Sequence, residues 1–371
     1  MNTKSIQVRL GSDINRTYSV LIGSGLFDIL AERLAGYSDI YRFALISDKS
    51  VADMFAEPLM RALREKNLDV ESLAFPTGEE HKNQATKTLL DSELLKRGFG
   101  RDSMIIALGG GVSGDMAGFV AATYMRGIPY VHVPTTFLSM VDSSIGGKTG
   151  VNTAYGKNLI GAYHQPRLVL QDLKMLKDLP EHQMVNGLFE AIKMFCTSDA
   201  DMFAYVRDNR EALFAKDQTV LLRIVEGAVK IKAGIVSMDE RESNERMLLN
   251  FGHTIGHALE LLSDYRIPHG YAVACGMIAE TKMAELAGIA EPGLTTQIKE
   301  LLVSCGLDTE PLSLFNPEDV LSATAKDKKT RKAVVRYIQL ERIGEPHRAD
   351  EAYAVPVDGN IALKALKELK S

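Results

Sequence analysis

The feature that most constrains this chain is a change of hydrophobic period near residue 180. Before it, FALISD (43–48), DVESLAFP (69–76), SMIIALGGG (103–111), YVHVPTT (130–136) and LVLQDL (168–173) read as strands separated by helical stretches. Strands alternating with helices predict a mainly parallel sheet, with ligands beyond the carboxyl ends of its strands. After it, 181–197, 200–238, 245–264 and 270–289 carry apolar residues at helical spacing and few β-branched runs. The expected fold is an α/β N-terminal domain, residues 1–180, followed by an all-α C-terminal domain, residues 181–371. A length of 371 residues accommodates both, at roughly 100–200 residues per domain.

Composition removes several function classes. The formal net charge is -5 and no basic cluster stands out, so no nucleic-acid partner is expected. An acidic substrate remains compatible, because a few Lys and Arg focused in a cleft bind anions whatever the net sign. No apolar run approaches the roughly 18 residues of a membrane span, so no membrane partner is expected. The N-terminal stretch alternates polar and apolar residues, reads as a strand and lacks the pattern of a secretory signal. Cys196, Cys275 and Cys305 are odd in number and widely spaced, giving neither a disulfide framework nor a C-x-x-C site. Buried thiols in a reducing, cytoplasmic compartment are the expectation.

Gly109-Gly110-Gly111-Val112-Ser113-Gly114-Asp115 follows a predicted strand and opens an apolar helix, with G-x-G-x-x-G at 109, 111 and 114. Such glycines let backbone approach a pyrophosphate at the positive end of a helix, as in Rossmann-like sheets. They also serve close helix–strand packing, and the residues alone leave both readings open. The loop departs from the usual fingerprint: it comes after several strands, and position 134, about 20 residues on, is Pro rather than an acid. If a dinucleotide binds, Asp48, ending an earlier strand, is the best-placed ribose acid; a helix-capping Asp is the alternative.

His253 and His257 stand four apart on one predicted helical face, and His269 opens the next helix after Pro268. Upstream, Glu190 and Lys193 share a face at i, i+3. Imidazole with carboxylate suits zinc or a similar divalent ion, and three protein ligands leave a coordination position open. Packing or surface roles are the alternative, and are the reading for His81, His132, His164, His182 and His347. The polar run DSSIGGKTGVNTAYGKN (142–158) reads as a loop. It is either a surface excursion or a binding element in which Lys148, Lys157, Asn158 and nearby Arg126 donate to phosphate or carboxylate.

Taken in order, GGGVSGDMAGF, RGIPYVHVPTT, VDSSIGGKTGVN, GKNLIGAYHQP, GLFEAIK, NFGHTIGHALE and HGYAVACGM resemble the 3-dehydroquinate synthase family of sugar phosphate cyclases. The match runs from about residue 43 to 280 and includes the sixteen-residue separation of His253 and His269. The resemblance implies a dehydroquinate synthase-like fold, NAD and a divalent metal (zinc or cobalt), with Glu190, His253 and His269 as ligands. His257 would be a polar catalytic residue beside them. Asp142, Lys148, Asn158, Lys193, Arg246, Asn250 and Lys232 would line the substrate site. Arg126 would reach the phosphate of a substrate in the neighbouring subunit of a homodimer. Asp48, Glu79, Lys82, Gly110, Gly111, Val112, Asp115, Thr135, Thr136, Lys148 and Lys157 would contact NAD. In the segment Asp327-Lys328-Lys329 a lysine would also approach the phosphate. The implied substrate is the sugar-acid phosphate 3-deoxy-D-arabino-heptulosonate 7-phosphate. It would pass through transient oxidation, phosphate elimination, re-reduction and aldol closure to 3-dehydroquinate.

This sequence departs from the family pattern at four places. Tyr271 stands where Glu usually follows the third ligand, Ser50 replaces an Asn, Asp178 replaces a Thr, and Asn244-Glu245 precedes Arg246 where glycine is common. Competing readings are a cyclase for sedoheptulose 7-phosphate or glucose 6-phosphate, a net oxidoreductase, and a binding module without catalysis. Ser143-Ser144 and Gly146-Gly147 favour the dehydroquinate branch.

Overall fold

Strands β1 (Lys4–Val8), β2 (Tyr18–Gly23), β3 (Arg42–Asp48), β4 (Asp69–Phe75), β5 (Ser103–Gly109), β6 (Tyr130–Pro134) and β9 (Leu168–Asp172) build one sheet in the order β1-β2-β9-β6-β5-β3-β4. Only β1 pairs antiparallel with its neighbour; every other pairing is parallel. The computed structural model describes residues 3–10, 17–242, 244–325 and 334–370. Lysines 328 and 329 lie outside them.

The described chain divides into two units, Met1–Leu179 with Leu221–Ser237, and Pro180–Val220 with Met238–Ser371. Strands β3, β5 and β6 are buried along almost their whole length, as continuous apolar runs in a two-sided parallel sheet should be. Ile46, Ile105 and Ala107 meet Leu90 and Leu94, and Met116 and Val120 of the Gly111–Thr123 helix, in one core. From β3 the chain passes to β4 on one side, whereas β5 leads to β6 on the other. The carboxyl ends of β3 and β5 therefore flank a topological switch point, where a parallel sheet leaves a crevice.

Two features of this unit differ from the sequence expectation. Residues 142–158, read as a loop, contribute to an antiparallel hairpin of β7 (Lys148–Thr153) and β8 (Gly156–Tyr163). The reason is that Gly150 and Gly161 pair where no side chain would fit: a Cβ at Gly161 would stand 2.0 Å from the Thr149 carbonyl. Residues 221–237, expected in the helical domain, group with the sheet unit. Lys232 Nζ donates to the Asp142 carbonyl at 2.6 Å, and Arg9 N donates to Ser237 Oγ at 3.1 Å.

The second unit is predominantly helical, with two short antiparallel pairs that the all-α expectation omitted. These join β10 (Arg336–Ile338) to β13 (Ala354–Pro356) and β11 (Leu340–Arg342) to β12 (Glu345–Pro346). Their strands are two or three residues long, below what alternation can reveal. The helix His269–Leu286 is buried on nearly every face and packs on helices Glu181–Ser198 and His253–Leu262. Glycine makes this approach possible. A Cβ at Gly270 would lie 2.0 Å from the Asn186 carbonyl, and one at Gly276 1.9 Å from that of Gly252.

Candidate active site

In the sheet unit, β5 runs into Gly109 at φ 147°, a conformation L side chains rarely adopt. A Cβ there would also meet Ser113 at 2.6 Å. Gly114 answers a different need: its Cβ would strike the His132 ring at 2.3 Å. Gly109 thus serves the tight turn and Gly114 the close packing of helix on strand. Gly110 is the N-cap of the Gly111–Thr123 helix, and no side chain caps that terminus. The Oγ of Ser143 is buried without a hydrogen-bond partner among the described residues, 3.4 Å from where a Cβ at Gly111 would be. Free helix N–H groups, a hydroxyl and a cradle that side chains would fill suit an anionic pyrophosphate. Ser143 is a residue sequence reasoning missed, because nothing in its local pattern places it over the helix end.

Asp48 closes β3 beside this loop. Its Oδ1 accepts from Ser50 Oγ (2.6 Å), Thr77 Oγ1 (3.2 Å) and Val51 N (3.2 Å), and its Oδ2 accepts from Ser113 Oγ (2.9 Å). It is thus a helix cap as well as the acid at the switch point, and Ser50 takes part in the network. Lys82, buried, pairs with Asp115 at 2.5 Å. Burial raises the Asp115 carboxyl above its ordinary range, and Lys82 opposes the shift. Glu79 accepts from Asn152 Nδ2 at 2.7 Å. Thr135 N donates to the Gly109 carbonyl at 3.0 Å, and Thr136 Oγ1 bonds Ser139 Oγ at 2.9 Å. Val112 and Lys157 are half-buried. Lys232 Nζ also meets Asp142 Oδ1. Lys148 is exposed on β7 opposite Tyr163. Asn158 (φ 55°) and Arg126 (φ 71°) are exposed in left-handed conformations.

In the helical unit, Glu190, His253 and His269 come together from three helices, with one ligand atom of each within 4.8 Å of the others. Glu190 is fully buried. Its Oε2 accepts from Lys193 Nζ at 2.6 Å, while Oε1 has no hydrogen-bond partner among the described residues and faces His269 Nε2 at 3.7 Å. Tetrahedral ligands about 2.05 Å from a zinc ion stand roughly 3.3 Å apart, a little closer than the 3.7 Å between Glu190 Oε1 and His269 Nε2. His253 Nδ1 lies 3.2 Å from the Phe251 carbonyl, and His269 Nδ1 lies 3.1 Å from Glu260 Oε2. Both partners are acceptors, so with the proton on Nδ1 each ring would turn Nε2 to a cation. An orphaned buried carboxylate oxygen beside two such nitrogens is what a divalent ion would satisfy. Without an ion, burial acts against the charged His269 ring, but the Glu260 hydrogen bond and the charges of Glu260 and Glu190 raise its pKa overall.

A second group, His257, Glu260 and His269, is equally compact. There, however, Glu260 already accepts from the His269 nitrogen that faces away from Glu190. The His257 ring is 5.3 Å from that of His253 and 6.0 Å from that of His269. Arg246, buried, donates to the Glu240 carbonyl at 2.5 Å, and its backbone N donates to Asp239 Oδ2 at 3.1 Å. Asn250 Nδ2 donates to Glu242 Oε1 at 2.9 Å. Tyr271 turns its ring edge-on to Phe189, the residue before Glu190, at 5.2 Å. Tyr271 thus makes a packing contact with the neighbour of Glu190 in sequence.

The sequence profile described as 3-dehydroquinate synthase N-terminal matches residues 72–186, and that described as 3-dehydroquinate synthase C-terminal matches residues 187–330. The 3-dehydroquinate synthase of Thermodesulfovibrio yellowstonii is 38% identical over 343 residues, covering 92% of this chain and 95% of that protein. That of Geobacter metallireducens is 41% identical over 344 residues, covering 92% and 94%. Among solved structures, a 2-deoxy-scyllo-inosose synthase complexed with carbaglucose-6-phosphate, NAD+ and Co2+ superposes with a TM-score of 0.86 at 27% identity, covering 98% of this chain and 100% of that one. The 2-epi-5-epi-valiolone synthase of Streptomyces hygroscopicus, with NAD+ and Zn2+ bound, gives 0.86 at 25% identity, covering 97% and 99%.

Proposed function

This chain belongs to the 3-dehydroquinate synthase family, and we propose that Glu190, His253 and His269 hold its divalent metal while the Gly109–Asp115 turn holds NAD. The protein is an enzyme of the lyase class. It converts 3-deoxy-D-arabino-heptulosonate 7-phosphate to 3-dehydroquinate and phosphate, the shikimate-pathway step its family carries out. The observation that carries the metal assignment is the orphaned Glu190 oxygen aimed at His269.

When bound, NAD supplies a transient hydride acceptor and the ion supplies Lewis-acid polarisation of an alcohol. The protein's own groups do the rest. Lys193 neutralises one Glu190 oxygen and leaves the other for the cation. The Phe251 carbonyl, 3.2 Å from His253 Nδ1, would hold that ring with Nε2 toward the ion. Lys148, Lys232, Arg246 and Asn250 are the donors assigned to the doubly anionic substrate, with Asp142 and Glu242 orienting two of them. Arg126 and Asn158 are assigned to phosphate and hydroxyl recognition, and His257 to proton transfer beside the metal. Asp48 is assigned to the ribose, with Glu79, Lys82, Asp115, Thr135, Thr136 and Lys157 around the dinucleotide.

We also infer a homodimer. Leu159, Ile160 and Tyr163 of β8 are about half-exposed, and Tyr155 in the β7–β8 turn almost wholly so; such apolar exposure favours cover by a second copy. No helix among the described residues is long and apolar enough to cross a membrane, and the three free cysteines are buried, which suits a reducing cytoplasm.

The test is purified protein with the heptulosonate phosphate, NAD+ and zinc or cobalt, following phosphate release and NADH absorbance. Phosphate release without net NADH is expected. Turnover of sedoheptulose 7-phosphate in its place would overturn the substrate assignment, and net NADH accumulation would overturn the reaction.

A further inference from the structure

We propose that Glu260 is a positioning residue that orients His269 and sets its strength as a metal ligand; this rests on the reading that Glu190, His253 and His269 bind the ion. Glu260 is 5% exposed and lies on the helix that begins with His253, seven residues further on. Its Oε2 accepts from Nδ1 of His269, the first residue of the next helix, at 3.1 Å. One side chain thereby links two helices that each carry a ligand. Its backbone is tied down as well. The Glu260 carbonyl accepts from Tyr265 N at 2.7 Å and from Ser263 Oγ at 2.9 Å. These bonds gather the connection between the helices, where Asp264 (φ 52°) and Tyr265 (φ 57°) are held in consecutive left-handed conformations.

The chemistry follows from what the carboxylate accepts. Holding the proton on Nδ1 leaves the Nε2 lone pair toward Glu190, 3.7 Å away, and polarises the ring so that Nε2 donates more strongly. A carboxylate does this better than a neutral acceptor, because a charge-assisted hydrogen bond is the stronger one. A direct bond from Glu260 to the ion, with His257 and His269, is the rival arrangement that geometry alone leaves compact. Two facts favour the positioning role: Glu260 already accepts from His269 Nδ1, and Glu190 has the oxygen without a partner.

The experiment compares wild type, Glu260→Gln, Glu260→Ala and His269→Ala. Zinc affinity is measured by competition with a chromophoric chelator, and the visible spectrum of the cobalt-loaded protein is recorded. Glu260→Ala should weaken zinc binding about 10–100-fold, with Glu260→Gln between it and wild type. The cobalt band positions should be unchanged in Glu260→Gln, because the bound atoms are the same. Glu260→Gln is nearly isosteric and keeps an acceptor, so it reports even if Glu260→Ala does not fold. Wild-type affinity in Glu260→Gln and in folded Glu260→Ala would overturn the proposal. So would a cobalt spectrum shifted in Glu260→Gln, which would make Glu260 a ligand. Failure of wild type to bind one zinc per chain, or tight binding by His269→Ala, would instead defeat the metal-site reading itself.

Discussion

Replacing Gly276 by Ala tests how the fold sets the spacing of the proposed metal ligands. The built Cβ falls 1.9 Å from the Gly252 carbonyl oxygen, 2.8 Å from its carbon and 2.9 Å from Gly256 N. All three are backbone atoms, so no rotamer change relieves the clash. Reaching an ordinary contact of about 3.5 Å requires the helices His269–Leu286 and His253–Leu262 to separate locally by well over about 1 Å. The residue pushed is the neighbour of His253. It is also anchored to the pushing helix by the Gly252 N–H, which donates to Glu280 Oε2 at 2.9 Å. Overpacking of this kind costs roughly 1–3 kcal/mol, and metal–ligand distances tolerate only about 0.2 Å. Gly276→Ala should therefore lower the urea midpoint with an unchanged slope and weaken zinc binding at least about tenfold, as loss of ligand support does. Gly234→Ala is the control. Its Cβ meets nothing within 4 Å, and Ala in a helix interior gains roughly 0.5–1 kcal/mol. If Gly276→Ala matches wild type in both stability and zinc affinity, the spacing argument is wrong.

His269→Ala should lose both metal retention and turnover; metal content by elemental analysis at the wild-type level would remove His269 from the ligand set. Gly109→Ala combines a φ of 147° with a 2.6 Å clash against Ser113, a strain of roughly 1–3 kcal/mol, so NADH affinity read by fluorescence should fall about tenfold or more. Burial depresses the His132 imidazole from 6.5 to about 4, and its Nε2 is unpartnered among the described residues. Between those values the unfolded chain binds a proton the folded one refuses, so stability is full above pH 6.5 and lost as pH falls through 4, by about 3 kcal/mol. Urea midpoints from pH 7 to 4 should show this slope reduced in His132→Leu; parallel profiles would contradict it.

What the residues determine by themselves is whatever depends on neighbours in sequence. The apolar runs of β3, β5 and β6 and the helical period of 181–198 are visible because burial repeats at a fixed local interval. The glycine turn at the end of β5 and the paired faces Glu190/Lys193 and His253/His257 are visible for the same reason, and motif order carried the family. Tertiary structure decided the rest, because it depends on which distant atoms meet. It put Asp48 against Ser113 at the switch point, and it gathered 221–237 with the sheet through Lys232 and Asp142. It also placed Glu260 with His257 and His269 in a second compact group, which the sequence reading did not contain. Glu260 and Glu280 look like ordinary helix carboxylates in the sequence. Only packing makes one a partner of the His269 imidazole and the other, fully buried, a cap on the backbone beside His253. The cause is physical: a buried carboxylate must find its donors wherever the fold brings them, and that choice has no period along the chain.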